Sequence, residues 1–493
     1  MARISNSDTD QRRGSLRAAV RDRWLLCVWL ATVAYVAILS AESIHLYRSF
    51  RTGFDLAIYS QAVWLVGTFR SPSITVDDTF LLAAHFQPGL VLLAPLEWVG
   101  LGVPGLLVSQ TVGLALMAPV LFALARDAGA APRLAAVPAL LWLVCPWIAA
   151  VNLAEFHPTA FAPSLLGLSV LAARRDQTLW LLATAALAMS FKEDTALVYL
   201  VLGLVLIFEG KRRQGAILAV ASSFTFVLAL AVVSSQGDAV SYYGQRFAGD
   251  RGKTVPDALG WMLQHPFDAL GDLLTWKNIV LVSALILATA GIALLAPVWI
   301  LLGSPILAHN LLSAYPAQHG LVDQYQLLAA AAFFIAAALG VSRLASLGRL
   351  ARLAAFAAVL LALVGDVGGG IFVHSVRLGR RAMDEAAAKQ AISLIPPRAA
   401  VAASVHFAPH LSHRAELYTL PEPFLPIWPG TLSLPPSDMA ARAGRVDFAI
   451  FAENDIVAYE SPDLDLLPPL LRARGFVEVF AQEGIHVFER KRT

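Results

Sequence analysis

Apolar stretches separated by short polar turns fill the first three quarters of the chain. A membrane-spanning helix needs about 20 mostly apolar residues, and eleven stretches come close to that length. The first runs from Trp24 to about Ile44, and the others lie at about 104–126, 134–151, 158–173, 178–191, 195–209, 215–234, 278–295, 297–313, 325–342 and 350–373. This pattern predicts a polytopic α-helical membrane protein with about 11 transmembrane helices.

Two parts of the pattern are shorter than the rest. The stretch Leu90 to Leu101 is apolar but brief, so we expect it to dip into the outer leaflet. The runs at 178–191 and 195–209 are also short, and Lys192-Glu193-Asp194 lies between them. One long helix would bury three ionisable groups at mid-membrane, which is energetically expensive. We therefore expect a helical hairpin with this charged turn at its tip.

The distribution of basic residues favours one orientation. The segment 1–23 is rich in arginine and precedes an apolar run that is too long for a signal peptide, so we expect a cytoplasmic N-terminus. Alternate crossings then place these basic residues in cytoplasmic turns: Arg126, Arg133, Arg174, Arg175, Lys211, Arg212, Arg213, Arg343, Arg349 and Arg352. This agrees with the positive-inside rule. An odd number of crossings puts the C-terminal part outside the plasma membrane.

The chain divides into three parts on this basis. The cytoplasmic segment 1–23 is followed by a transmembrane helical domain at 24–375, with outer loops at 45–88 and 235–277. Within the first loop, helical spacing aligns an apolar stripe: Phe54, Ile58, Ala62 and Leu65. That stripe predicts a helix lying on the membrane surface with Trp64 at the interface.

The pattern of the last part, 376–493, predicts a small extracytoplasmic α/β domain. An amphipathic segment comes first, and strand-like runs follow at Ala400–Ser404, Glu416–Leu420, Val446–Phe451, Phe476–Phe480 and Ile485–Glu489. The last two runs flank Gln482-Glu483-Gly484, which predicts a β-hairpin. Many prolines between 421 and 436 predict a loop without regular structure.

Composition supports this assignment and excludes several classes of protein. The chain is 57% hydrophobic and only 15% charged, whereas soluble domains are about 45–50% apolar and about 25% charged. With a formal net charge of +2, a soluble enzyme, a disordered chain and a basic nucleic-acid-binding protein are excluded. The two cysteines, Cys27 and Cys145, lie in apolar stretches, which excludes a disulfide framework or a cysteine-based zinc site.

Five groups of polar residues meet at the outer boundary of the predicted membrane domain. They are Asp55; His85; Glu155 with His157; Lys192, Glu193 and Asp194; and the segment containing His309, Asn310, Gln318 and His319. Ionisable residues at membrane depth are rare and usually functional. Because these groups come from distant parts of the sequence and share one boundary, they predict a single site.

Each group also has a purely structural interpretation. The alternatives are helix capping by Asp55, a loop position for His85, a helix end for Glu155 and His157, a self-neutralised turn for Lys192 to Asp194, and a solvated loop for His319. His406, His410 and His413 have a spacing compatible with a metal site, but Pro409 interrupts any helix, which favours separate surface positions. We expect no metal and no cofactor.

The polar motifs resemble those of a known family. Phe54-Asp55-Leu56, Ala84-His85-Phe86-Gln87-Pro88, Glu155-Phe156-His157-Pro158 and Lys192-Glu193-Asp194 are similar to motifs of the bacterial multi-pass membrane proteins called domain of unknown function 2079. That family is distantly similar to the GT-C membrane glycosyltransferases, which include the protein O-mannosyltransferases and the aminoarabinose transferases. The resemblance therefore implies a GT-C-like fold in a bacterial plasma membrane.

The resemblance also implies roles for particular residues. GT-C enzymes place a catalytic acidic residue in the first outer loop, and Asp55 matches that position; Asp77-Asp78 is a further acidic pair there. Their loop-to-helix motif of His-Pro-Pro type is similar to His85-Phe86-Gln87-Pro88, in which Gln87 replaces a proline. By this resemblance Asp55 is the catalytic base, and the other polar groups bind the substrate.

The implied reaction is transfer of a sugar from a polyprenyl-phosphate donor to an envelope glycan, lipid or protein. The chain has no P-loop and no dinucleotide-binding motif, which fits a lipid-linked donor and no nucleic-acid partner. Two other interpretations stay open. One is a transporter or lipid-binding protein, although no duplicated halves are visible in the sequence; the other is a receptor or scaffold whose C-terminal domain binds envelope components.

Overall fold

The fold is described from a computed structural model that covers residues 23–236, 239–378, 383–425, 436–453, 455 and 466–491. The predicted cytoplasmic segment, apart from Arg23, lies outside the described residues. Most of the proline-rich stretch predicted as a loop lies outside them too.

Helices form most of the described chain before residue 379. They are α1 (Arg23–Arg48), α2 (Phe54–Gly67), α3 (Pro95–Trp98), α4 (Gly102–Ala115), α5 (Met117–Asp127), α6 (Pro132–Val144), α7 (Pro146–Ala154), α8 (Ala162–Arg174), α9 (Thr178–Met189), α10 (Thr195–Phe208), α11 (Arg212–Gln236), α12 (Ala239–Ala248), α13 (Val255–Gln264), α14 (Pro266–Leu273), α15 (Trp276–Ala288), α16 (Pro297–Ile300), α17 (Ser304–Leu312), α18 (Leu327–Gly340) and α19 (Arg349–Leu378).

The lengths of these helices support fewer crossings than the eleven predicted. Among the described residues, five helical stretches are long and apolar enough to cross a membrane. Two bent pairs raise that number to seven: α6 with α7, bent by 41°, and α14 with α15, bent by 52°. The run at 134–151 was predicted as one helix, but Pro146 cannot donate a backbone hydrogen bond and divides it. Other predicted spans, such as α9 and α10, rise only about 18–21 Å.

Helix α18 lies at the centre of the bundle. Every residue from Leu327 to Gly340 is buried, and half of them are alanine. Small side chains let neighbouring backbones approach closely, which is the usual way that helices pack in membranes. At Gly303, for example, an added Cβ would lie 3.1 Å from the Cα of Ala329. The described helices thus form a multi-pass membrane bundle around an alanine-rich core.

The C-terminal part contains one five-stranded sheet. Its elements are α20 (Glu385–Ser393), β3 (Val401–Ala403), α21 (Ala408–Leu411), β4 (Leu417–Thr419), α22 (Pro436–Arg445), β5 (Phe448–Ala452), α23 (Leu467–Ala473), β6 (Phe476–Gln482) and β7 (Ile485–Arg490); the first outer loop holds a separate pair, β1 (Ser73–Ile74) and β2 (Thr79–Phe80). The strand order is β4-β3-β5-β7-β6. The first three are parallel, and β7 runs antiparallel to both β5 and β6.

The predicted helix at 54–65 is present as α2, and the C-terminal domain covers one side of it. The hydroxyls of Ser60 and Ser412 lie 2.8 Å apart, and Gln61 donates to the carbonyl of Arg414 at 3.0 Å. Trp64, predicted at the membrane interface, stacks on His413 with ring centroids 6.1 Å apart. Helix α2 has a second apolar and small face, which packs against the domain. We call this end of the bundle the C-domain side.

Candidate functional site

Asp55 and His157 form a close pair on the C-domain side. Asp55 lies in the first turn of α2, and His157 lies in the extended segment after α7; Asp55 Oδ2 is 2.9 Å from His157 Nε2. The His157 side chain is only 6% exposed, whereas that of Asp55 is 44% exposed. Burial would raise the pKa of Asp55, but the hydrogen bond and charge of His157 outweigh burial and lower it. The pair therefore presents an accessible, ionised carboxylate.

Glu155 caps the helix that carries Asp55. Its two carboxylate oxygens accept hydrogen bonds from the backbone N–H groups of Gly53, at 3.1 Å, and Leu56, at 2.8 Å. Burial and the nearby charge of Asp55 raise the pKa of Glu155 to about 7. Asp55 itself makes no capping hydrogen bond. The capping role that the sequence offered for Asp55 is thus performed by a residue 99 positions away from Leu56.

Gln110 of α4 fixes the segment between Glu155 and His157. Its side-chain oxygen accepts from the backbone N–H of His157 at 2.6 Å, and its nitrogen donates to the carbonyl of Glu155 at 2.6 Å. Gln110 is fully buried. An amide can offer a donor and an acceptor at once, so one side chain sets the position of both the cap and the histidine.

A second pair joins the first outer loop to the turn between α9 and α10. Glu193 Oε1 lies 2.8 Å from His85 Nδ1, and Glu193 Oε2 accepts from the backbone N–H of Phe86 at 2.9 Å. Burial would raise the pKa of Glu193, but the charge and hydrogen bond of His85 lower it to about 2. The His85 ring also stacks on Tyr243 of α12, with ring centroids 4.8 Å apart. Three distant segments therefore meet at His85.

Lys192 and Asp194 form an ion pair in the same turn. Lys192 Nζ is 2.8 Å from Asp194 Oδ2, and both side chains are partly exposed. Burial would lower the pKa of Lys192, but the charges of Asp194 and Glu193 outweigh it and raise the pKa. Lys192 thus stays a cation paired with Asp194, and its charge acts on His309 and Tyr325.

The two pairs belong to one cluster of charges. The charges of His85 and Arg246 both act on Asp55. Tyr59 lies between the pairs: its ring is 6.2 Å from that of His157, and its pKa is raised by burial and then by the charges of Asp55, Asp77 and Glu193. The structure therefore brings Asp55, His85, His157 and Lys192 to one region of the C-domain side.

Asp77, in the turn between β1 and β2, adds a second acid to this cluster. Burial and the charge of Asp55 raise its pKa to about 7. Its neighbour Asp78 points elsewhere and forms an ion pair with Arg442 of the C-terminal domain. The acidic pair seen in the sequence is thus divided between the site and the domain contact.

The segment at 309–319 mainly bonds to itself and to neighbouring helices. His319 lies 2.7 Å from the side-chain oxygen of Asn278 and 2.9 Å from the carbonyl of Ser313. Asn310 donates to the carbonyl of Tyr325 at 2.9 Å, and Gln318 bonds to Ser313. The solvated-loop alternative for His319 is therefore wrong, because this network is largely buried. Within the segment, His309 lies close enough to Lys192 and Asp194 for their charges to act on it.

Arg246 and Tyr243 of α12 were missed in the sequence. The Arg246 guanidinium lies 4.3 Å from the centroid of the Tyr315 ring and 5.7 Å from that of Tyr243. Both residues belong to the polar loop at 235–277, where the more conspicuous Arg251 is instead paired with Asp272 at 2.7 Å. The spacing of Tyr243 and Arg246 could have indicated them, because residues three positions apart lie on the same face of a helix.

The three closely spaced histidines of the C-terminal domain, His406, His410 and His413, have separate partners. His410 is not a surface residue: it lies between the rings of Tyr47 and Phe50, with centroids 4.3 and 4.0 Å away. Burial lowers its pKa to about 4. His406 bonds to Asp455, and His413 packs on Trp64. Within the described parts of the chain, no three histidine, cysteine or acidic residues are grouped so that they could hold a metal ion.

Two solved structures of ArnT from Cupriavidus metallidurans are similar to this fold. The structure bound to undecaprenyl phosphate has a TM-score of 0.56 and 14% identity, and the match covers 93% of this chain and 97% of that chain. The apo structure has a TM-score of 0.53 and 14% identity, with 93% and 98% covered. At this identity the likeness concerns the fold alone, and it agrees with the fold expected from the resemblance. No curated protein matches the chain.

A family profile covers most of the chain. The profile described as "Predicted membrane protein (DUF2079)" matches residues 45–424. This range begins before α2 and contains both residue pairs of the site, the 309–319 segment and the first two strands of the C-terminal sheet. The family expected from the motifs is therefore confirmed: this chain belongs to the DUF2079 family of membrane proteins.

Proposed function

We propose that this protein transfers a sugar from a polyprenyl-phosphate donor to a hydroxyl-bearing acceptor of the bacterial envelope, on the outer face of the plasma membrane. One observation carries the proposal: an accessible Asp55 carboxylate, held by His157, lies in the same cluster as the cationic Lys192 and Arg246. Such a reaction needs a base for the acceptor and positive charge for the leaving phosphate. A similar fold is known with undecaprenyl phosphate bound.

Asp55 is the proposed base. Its lowered pKa keeps the carboxylate ionised, so it can accept the proton of an acceptor hydroxyl. The acceptor oxygen then bonds to the anomeric carbon of the sugar, the bond from that carbon to the phosphate oxygen breaks, and polyprenyl phosphate leaves with the electron pair. His157 holds Asp55 in place, since its ring is almost fully buried and bonded to the carboxylate.

Lys192, Arg246 and His85 are the proposed phosphate ligands. Each can donate a hydrogen bond to phosphate oxygens, and charge-assisted bonds of this kind are stronger than neutral ones. Asp194 and Glu193 then position Lys192 and His85.

We assign positioning roles to Glu155 and to the hydrogen-bond network at 309–319. Glu155 fixes the start of α2 through both carboxylate oxygens, so it acts on Asp55 and not on the substrate. Asn310, Gln318 and His319 maintain one wall of the site through hydrogen bonds to Tyr325, Ser313 and Asn278, respectively. His309 is the member of this segment that we place near the phosphate.

The test is Asp55→Asn in full-length protein reconstituted into liposomes. The substrates are radiolabelled undecaprenyl-phosphate hexoses and pentoses, supplied with an envelope lipid and glycan extract. Asn keeps the size of the side chain but cannot accept the proton, so we expect at least a hundredfold slower transfer with undiminished binding of undecaprenyl phosphate. Asp268→Asn, an exposed acid on α14, is the matched control and should transfer at the wild-type rate.

Two results contradict the proposal. One is wild-type transfer by a folded Asp55→Asn protein, which rules out the base role. The other is binding of undecaprenyl phosphate by the wild-type protein without transfer from any donor of the panel, which favours the transporter or lipid-binding interpretation.

A further inference from the structure

Two short helices beside the site expose large apolar side chains that no described part of the chain covers. On α13, Leu259 and Leu263 are 49% and 83% exposed. On α14, Phe267 and Leu270 are 86% and 50% exposed, and Leu274, directly after that helix, is 60% exposed. The spacings are i, i+4 on the first helix and i, i+3, i+7 from Phe267 on the second, so each helix has one apolar stripe. We call α13 and α14 together the amphipathic hairpin.

The opposite side of the amphipathic hairpin is attached to the protein. Ala258 of α13 is buried against Phe247 and Ala248 of α12, with Met262 beside them. Near α14, Asp272 pairs with Arg251 at 2.7 Å. The orientation of the hairpin is therefore fixed, and its exposed stripes do not result from a helix that lacks contacts altogether.

The apolar stripes are followed directly in the chain by the apolar helix α15. Helix α14 passes into α15 through a 52° bend, and the two together meet the criterion for a broken membrane span. Helix α15 has 13 residues and rises about 20 Å, which is shorter than the roughly 30 Å of a bilayer core. Trp276, 76% exposed at the start of α15, has the residue type that is typical of a membrane interface.

We propose that the amphipathic hairpin is embedded in the membrane leaflet on the C-domain side, with Leu263 and Phe267 among the acyl chains. The occupant of this surface is lipid, because the stripes adjoin a membrane-crossing helix and have the amphipathic pattern of interfacial helices. Lys277, exposed next to Trp276, lies where it can meet lipid phosphates.

The embedding has a consequence for the neighbouring site. Helix α12 carries Tyr243, which stacks on His85, and Arg246, which acts on Asp55. The same helix packs on α13 through Phe247 and Ala248. One wall of the site is therefore attached to an element that is held by lipid. The location of the hairpin itself does not depend on the proposed glycosyl transfer.

The test measures whether single cysteines, introduced into the full-length protein, lie in lipid or in water. In a Cys27→Ser background, in which Cys145 stays buried, Phe267→Cys and Asp268→Cys are labelled with an environment-sensitive fluorophore in nanodiscs of phosphatidylethanolamine and phosphatidylglycerol. The two positions are adjacent but about 100° apart around α14. Leu263→Cys and Gln264→Cys form a second matched pair on α13, which keeps the test valid if one variant fails to fold.

We expect probes at 267 and 263 to emit at shorter wavelength and to be quenched at least threefold more by doxyl-labelled lipid than the probes at 268 and 264. Aqueous iodide should give the reverse order. Equal iodide quenching within each pair would place the hairpin in water and overturn the proposal. Insensitivity of positions 267 and 263 to both quenchers would also overturn it, because the surface would then be covered by protein, such as a second copy of the chain.

Discussion

Glu193 and His85 are 108 residues apart in the sequence, yet Glu193 Oε1 lies 2.8 Å from His85 Nδ1. The second carboxylate oxygen holds the backbone of Phe86. One acid thus joins the first loop to the α9–α10 turn, and the rest of the site is arranged around that junction.

Glu193→Gln should destabilise this junction. The amide loses the negative charge and one of the two acceptors, so we expect the free energy of unfolding to fall by about 1–2 kcal/mol. The pKa of Glu193 is lowered to about 2, so in the wild-type protein this stabilisation is complete above about pH 4.5 and is lost as the pH falls toward 2. Chemical unfolding in detergent at pH 7 measures the difference. Glu483→Gln, at an exposed turn, is the control, and equal stability of Glu193→Gln and wild type would contradict the prediction.

Asp77 should make phosphate binding depend on pH. Burial and the charge of Asp55 raise its pKa to about 7, so the side chain is mostly neutral at pH 6 and mostly negative at pH 8. The added charge repels an anionic ligand. We expect affinity for undecaprenyl phosphate to fall between these pH values by about threefold to tenfold more in wild type than in Asp77→Asn, which corresponds to roughly 1 kcal/mol.

Calorimetric titration of the detergent-solubilised protein at both pH values measures this difference. The titration of the lipid phosphate itself is common to the two proteins and cancels in the comparison. Parallel pH profiles for wild type and Asp77→Asn would show that Asp77 does not titrate in this range.

Gly53→Ala should disturb the contact between the site and the C-terminal domain. A Cβ at this position would lie 2.7 Å from Val405 Cγ1 and 3.1 Å from Glu155 Oε1. Overpacking of this kind costs about 1–3 kcal/mol, so we expect a lower unfolding temperature. The added change Val405→Ala removes the obstructing methyl group and should restore most of the loss.

The control for this pair is Gly271→Ala, where an added Cβ meets no atom within 4 Å. Its stability should be unchanged or slightly higher, because alanine favours a helix over glycine. A double variant as unstable as Gly53→Ala alone would show that the loss does not arise from contact with Val405.

Local patterns predicted the elements that depend on neighbours in sequence. The five strands of the C-terminal sheet match the runs expected for them to within two residues at each end, and the β6–β7 hairpin turns at Glu483 and Gly484, both with positive φ. Such features follow from residue types only a few positions apart. The number of membrane crossings was harder to predict, because apolar runs reveal composition but not where a helix bends, as α14 and α15 do.

The sequence could predict which residues gather at the site, but it could not predict what each of them contacts there. Asp55, Glu155 and Glu193 are all acids near a helix end; the family resemblance made Asp55 the base and the other two substrate-binding residues, but local sequence does not distinguish their partners. Their roles differ because of partners about a hundred residues away: Glu155 caps α2, Glu193 holds His85, and Asp55 stays accessible. Arg246 was not singled out because its position beside Tyr315 depends on the fold of the whole second loop.

The contact between Ser60 and Ser412 spans 352 residues. At about 5–20 residues per second, a ribosome needs roughly 20–70 s to produce the second partner after the first. During that interval, the side of α2 that later packs on the C-terminal domain stays exposed. The first loop therefore cannot reach its final arrangement until synthesis has passed Ser412. Ribosome stalling, or early termination before the C-terminal sheet, would leave an inserted membrane bundle with an unfinished surface exposed to proteases.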